Sequence, residues 1–292
     1  MKNSIYKTVD DVAVIQAVEE ITAFIRSKPE LTWAALIDTA FDYGQDAVTP
    51  DFGTLIDCYS YPELQGLSTV APRLVTLFCG SRLRAQITRL IRHCQGRPML
   101  SFIGTTESLE DVSARWRAVH MVSVVDEQQM LLRFADTRIL SYLPHVLTSS
   151  QWAAICGAVS IWIYFDRSGV LTASDIPSSS NFTEKISITK EQFAELLDAS
   201  HPDAVMCLIE ESMYDIVPKC RPVSERYRMV KESYEIAKEN KVNDNADILA
   251  LAVAAYISDG ASNVDKRLVS LLRQRSWTTG SLGNAIVHAQ II

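Results

Sequence analysis

Five aspartates, Asp38, Asp42, Asp46, Asp51 and Asp57, crowd the stretch that follows the first strongly apolar run, Trp33 to Ile37. Asp38 and Asp42 are one helical turn apart, so they could act as an acid–base pair or hold Mg²⁺ against a phosphate. The same residues also suit a capped strand end followed by a solvated loop, since Gly44 and Pro50 interrupt the stretch. Aspartates in such loops accept hydrogen bonds from nearby backbone amides. The loop reading is preferred.

Nucleophiles and metal ligands are no better organised. His93, His120, His145, His201 and His288 share no helix face with one another or with a nearby cysteine. HExxH, GxSxG, P-loop and GxGxxG patterns are all missing. Cys58, Cys79, Cys94, Cys156 and Cys207 lie in apolar stretches and are expected to be buried, leaving Cys220 exposed. No C-x-x-C pair suggests zinc. No local pattern marks a thiol or metal centre, although folding can bring a Cys and a His together from distant positions.

The charge anomaly is basic and local. No acidic residue occurs between Glu63 and Glu107, whereas Arg73, Arg82, Arg84, Arg89, Arg92 and Arg97 do. On the helix expected after Gly80, Arg82, Arg89 and Arg92 lie away from the Leu83, Ile87, Leu90 and Ile91 stripe. Such a face can be solvated, dock an acidic partner, or contact phosphates. No aromatic is interleaved with these arginines in sequence, which disfavours stacking on bases. Trp277, between Arg273-Gln274-Arg275 and Thr278-Thr279-Gly280, suits a binding rim. Arg82, Arg89, Arg92 and Trp277 are therefore the candidate partner-binding residues. Asp136 is placed to cap a helix from Thr137, with Arg138 able to pair with it or with a carboxylate across the sheet.

These residues need a scaffold, and the pattern of apolar residues supplies one. A helix is predicted over Asp10–Arg26, then strands at 33–37, 74–78 and 99–103, with a helical stretch near 54–61. Helices are predicted after Gly80-Ser81 and after Ser108. Val122–Val125 and Met130–Phe134 read as a hairpin joined by residues 126–129. Two short helices and a strand ending at the Asp166–Gly169 turn follow. The fold class is α/β: a mixed sheet with flanking helices over residues 1–171, a Ser-rich linker at 172–182, and an all-helical lobe over 183–292. In that lobe a Thr189/Gln192 capping box precedes Phe193, and helices are predicted at 201–213, 223–241, 245–258 and 263–273.

The 292 residues are 48% hydrophobic and 22% charged, with a net charge of −7. That composition is globular and exerts no overall pull on nucleic acid or anionic membrane. The longest apolar run, Ile248–Ile257, falls well short of the roughly 20 residues a bilayer needs. Met1 to Asp11 lacks the features of a secretory leader, so a cytoplasmic protein is expected.

Several stretches carry a resemblance. Met130–Gly169 combines Arg133-Phe134-Ala135-Asp136-Thr137-Arg138, then Pro144 to Trp152 (PHVLTSSQW), then a Trp162-containing strand ending at Asp166 and Gly169. Trp33 to Phe41, Pro72 to Leu77, and Arg97 to Ile103 with Ser108 to Asp111 occur in matching order. Together they resemble the bacterial type VI secretion effector chaperone/adaptor family (Tap or TEC proteins, long labelled as a domain of unknown function). Ala135 stands where an aromatic is common and Ala158 where a Pro is common. The resemblance implies a cytoplasmic, non-catalytic adaptor that binds a cognate effector toxin and loads it onto a VgrG or PAAR spike protein. It implies no cofactor, no nucleic acid and no membrane insertion. Two rival readings are a hydrolase using the Asp38/Asp42 carboxylates and a nucleic-acid-binding module using the Arg82–Arg92 face.

Overall fold

The computed structural model describes residues 7–42, 52–124, 128–157, 159–177 and 186–292. Asp46, Asp51, Ala158, the hairpin-turn residues Asp126 and Glu127, and linker residues 178–182 lie outside them. The chain divides into two compact units, Met1–Leu196 and Leu197–Ile292.

The first unit is built on strand β1 (Thr32–Asp38), which pairs with β3 (Pro72–Thr76) on one side and β4 (Leu100–Thr105) on the other. With β2 (Leu55–Asp57), β7 (Val159–Phe165) and β8 (Leu171–Ala173), the sheet order is β2-β3-β1-β4-β7-β8. The expected α/β lobe is what forms, and each pairing in its sheet is antiparallel. Helix α2 (Arg82–Cys94) links β3 to β4 across β1. Because it skips one strand, β3 and β4 run the same way without touching, and β1 opposes both.

Alternation along β1 divides the core. Trp33, Ala35 and Ile37 pack with Ala17, Val18 and Ile21 of α1 (Val14–Arg26) and with Leu83, Ile87, Leu90 and Ile91 of α2. Ala34 and Leu36 pack on the opposite face with Val112, Trp116 and Val119 of α3 (Leu109–His120). Leu140 and Leu143 of α4 (Thr137–Val146) and Trp152 and Ile155 of α5 (Ser149–Cys156) join that second layer. The period of two is thus used on both faces, giving helices above and below the sheet. The hairpin β5 (Met121–Ser123) and β6 (Gln129–Leu131) forms a separate two-stranded sheet. Ser123 also bridges Ser187 in parallel.

The second unit is helical. Its core gathers Val205, Met206 and Ile209 of α6 (Lys190–Ser212), Tyr227 and Val230 of α7 (Val223–Glu239), and Leu251 and Ala255 of α8 (Asn245–Ile257). Leu268 and Leu272 of α9 (Lys266–Gln274) and Leu282 and Ile286 of α10 (Leu282–His288) complete it. Asp244 caps α8 through the amides of Ala246 and Asp247.

Three expectations change, and one helix was not expected at all. The stretch near 54–61 is not helical: Leu55–Asp57 pairs with β3 as an edge strand, with Asp57 held by Arg73 at 2.8 Å. Asp57 is therefore an ion-pair partner within the sheet and not a loop residue. Helix α1 begins at Val14, because backbone N–H of Asp10 donates to Arg167 and Gln95 grips both backbone groups of Val12. The expected break before His201 does not occur, and α6 runs through Pro202. An interior proline costs about 3 kcal/mol, and apolar packing at Phe193 and Leu196 before it and Val205 to Ile209 after it holds the helix across the defect. Finally, α10 carries too few residues to show a helical period in sequence.

Candidate functional site

The end of β1 holds the carboxylates that sequence flagged, and each answers to a different cation. Asp38, 1% exposed, accepts from Arg133 Nη2 at 2.7 Å and from the amide of Ala40. Asp42 accepts from His93 Nε2 at 2.8 Å and from Arg97 Nη1 at 3.1 Å. Arg97 is itself buried and also donates to the carbonyl of Phe41. Asp136 caps α4 through the amide of Arg138, as expected, and takes two further bonds from the Arg138 guanidinium at 3.1 and 2.8 Å. Phe41 ties the cluster together, with the guanidinium carbons of Arg133 and Arg138 5.0 and 5.3 Å from its ring centre.

Burial raises the Asp38 carboxyl above its ordinary range, and the Arg133 charge pulls it back. Burial likewise opposes the Arg133 charge, but Asp38 beside it outweighs that and raises it. The two side chains hold each other by a hydrogen bond of 2.7 Å. Asp38 is taken up by Arg133 and the amide of Ala40, and Asp42 Oδ1 by His93 and Arg97, while Asp42 Oδ2 is buried with no hydrogen-bond partner. The concavity nearby, lined by Val9, Asp10, Gln95, Arg97, Thr137 and Phe165 among others, includes neither carboxylate.

Elsewhere the ionisable groups are similarly quiet. Among the described residues no cluster of three or more His, Cys, Asp or Glu is placed to hold a metal. All six cysteines are free thiols. Cys58, Cys94 and Cys156 are buried as expected, and burial pushes each thiol up, Cys58 to about 12. Thiols so shifted form no thiolate near neutral pH. Cys79 and Cys207 depart from the expectation: Cys79 is exposed in the turn before α2, and Cys207 is half-exposed on α6. His120 is fully buried beside the rings of Phe134, Tyr59 and Tyr61, with Nδ1 3.0 Å from the Tyr61 hydroxyl.

The basic region resolves into two groups. Arg73 and Arg97 point inward, and Arg84 pairs with Glu19 of α1 at 3.2 Å. Arg82, Arg89 and Arg92 are exposed on the outer face of α2, whereas Leu83, Gln86, Ile87, Leu90, Ile91 and Cys94 are buried. Two aromatics support this face: Phe78, four residues before Arg82, and Phe52, which only the fold brings near. Arg82 lies 4.8 Å from the centre of the Phe78 ring, and Arg89 lies 4.9 Å from that of Phe52. The fourth candidate, Trp277, belongs to the second unit and is half-buried, not presented on an open rim. Its indole N–H donates to Asp247 at 3.0 Å, and the same carboxylate accepts from the amides of Gly280 and Leu282. Trp277 thereby anchors the loop between α9 and α10.

Sequence reasoning missed Arg133, Arg97 and His93 as partners of the aspartates. The bonded residues are 95, 55 and 51 positions apart, and no local pattern signals such pairs.

Among the described residues no helix is long and apolar enough to cross a membrane. Comparison with known families matches residues 34–154, from β1 into α5, to a family described as Domain of unknown function (DUF4123). No curated protein matches the chain, and no solved structure does.

Proposed function

We propose that this chain is a cytoplasmic, non-catalytic adaptor that binds a cognate type VI secretion effector and delivers it to a VgrG or PAAR spike protein. The observation that carries this reading is the match of residues 34–154 to the DUF4123 family, which is associated with type VI effector adaptors. That stretch contains most of the segments whose residues suggested the resemblance: Ala34 to Phe41, Pro72 to Leu77, Arg97 to Asp111, and Arg133 to Trp152. The disposition of Asp38 and Asp42 supports the non-catalytic part, since each carboxylate is engaged by its own arginine.

Co-expression with the product of an adjacent effector gene, followed by affinity purification and size exclusion, tests the proposal. A stoichiometric complex that keeps an otherwise insoluble effector in solution is the expected result. A monodisperse protein that leaves the effector aggregated overturns it.

A further inference from the structure

We propose that the outer face of α9 is a docking surface for an acidic polypeptide segment, engaged by Lys266 and Arg273 on either side of Val269. This deepens the adaptor reading and rests on it for the partner being a protein.

Helix α9 meets the core of its unit through Leu268 and Leu272, with Leu271 half-buried beside them. At 3.6 residues per turn, Lys266, Val269, Ser270 and Arg273 fall on the opposite side, and all four are exposed. The stripe spans roughly 10 Å of helix, with a cation at each end. Val269 between them keeps 37% of its surface open to solvent. No acidic residue occurs between Asp265 and Ile292, so α9 carries no carboxylate along its own length to answer these cations.

Other cations of the same unit are answered. On α7, Arg226, Arg228, Lys231 and Lys238 pair with Glu210, Glu232, Glu235 and Asp198. The side chains flanking the α9 stripe are committed as well. Arg267 pairs with Asp265 and donates to the carbonyl of Gln290 at 2.6 Å, and Gln274 donates to Ser270 at 3.2 Å. Arg275, just past the helix, donates to the carbonyl of Asn240 at 2.7 Å. Lys266 and Arg273 make no ion pair among the described residues.

A segment that fits this face carries an apolar residue to set against Val269 and carboxylates on both sides of it. The apolar contact excludes water from the centre, and the two charge pairs fix the register. The same make-up argues for polypeptide over nucleic acid. The stripe contains no aromatic, and Trp277 just beyond α9 is half-buried with its indole N–H on Asp247. Bases therefore find no open ring there, and a net charge of −7 opposes a long polyanion.

The test uses the full chain, a labelled peptide with one leucine flanked on each side by glutamates, and a labelled oligothymidylate. Binding is read by fluorescence anisotropy across a salt series. The variants Lys266→Gln/Arg273→Gln and Val269→Ser change exposed positions only, and circular dichroism verifies their fold. Arg228→Gln/Lys231→Gln on α7 removes the same charge elsewhere and serves as the control. The expected result is salt-sensitive peptide binding, weakened about fivefold or more by Lys266→Gln/Arg273→Gln, weakened also by Val269→Ser, and little changed in the control. The proposal is overturned if the wild type ignores the peptide, if either α9 variant binds it as well as the wild type, if the control loses as much, or if the oligonucleotide binds more tightly than the peptide. Effector co-purification separates this from the parent reading. A wild type that binds the peptide through α9 yet carries no effector retires the adaptor function alone. An α9 double variant that retains both peptide and effector retires the surface alone.

Discussion

Asp38 and Asp42 illustrate how a residue type that could do chemistry is diverted into architecture. A buried carboxylate is costly unless paired and hydrogen-bonded, and Arg133 satisfies that need for Asp38. Removing the cation while leaving the anion is therefore the damaging change. Arg133→Met should lower stability by about 2–4 kcal/mol, the half-exposed arginine moderating the loss. Adding Asp38→Asn to Arg133→Met should recover a large part of it. Urea midpoints of the single and double variants check both expectations. His120 gives a pH signature of its own. Burial lowers its pKa from 6.5 to about 3, so the folded imidazole refuses a proton that the unfolded one accepts. Its contribution is complete above 6.5 and is lost as pH falls toward 3. The slope from this group is about 1.4 kcal/mol per pH unit. Stability measured between about pH 7 and pH 5 should fall less steeply in His120→Phe than in the wild type.

At the scale of elements, the motif from Pro144 to Trp152 acquires a mechanical meaning. Thr148 caps α5 through the amide of Gln151, while the Gln151 side chain returns to the amide of Thr148. Thr189 and Gln192 repeat this arrangement at the start of α6, as the sequence suggested. The two glutamines then bond each other at 3.2 and 2.7 Å, so two helix starts are locked face to face. Thr148→Ala should cost about 1 kcal/mol, the usual worth of such a cap. Gln192→Ala should cost more, because it also frees the carbonyl of Val146, and thermal melts of the two variants give the order. The loop before α10 depends on one residue in the same way. Asp247→Ala leaves the donors of Trp277, Gly280 and Leu282 without their acceptor, for an expected loss of about 3 kcal/mol. A shift of tryptophan emission at lower denaturant than in the wild type would register it.

At the scale of the whole molecule, the ion pairs Arg133–Asp38 and Arg97–Asp42 tie the end of the central strand to the elements packed around it. The sequence by itself determined a good deal. Period-two and period-3.6 patterns marked most strands and helices, because they record which side of a local element meets the core. The capping box at Thr189, the Asp166 turn and the Asp136 cap were legible because their partners lie within four residues. Only the tertiary structure decided that Leu55–Asp57 is an edge strand, since its hydrogen bonds come from β3. It alone decided that Asp38 belongs to Arg133, that Phe52 lies under Arg89, and that Trp277 turns inward to Asp247. Each of those contacts joins residues whose proximity depends on chain reversal, or on which side of a loop faces the core, and a one-dimensional pattern carries no record of either.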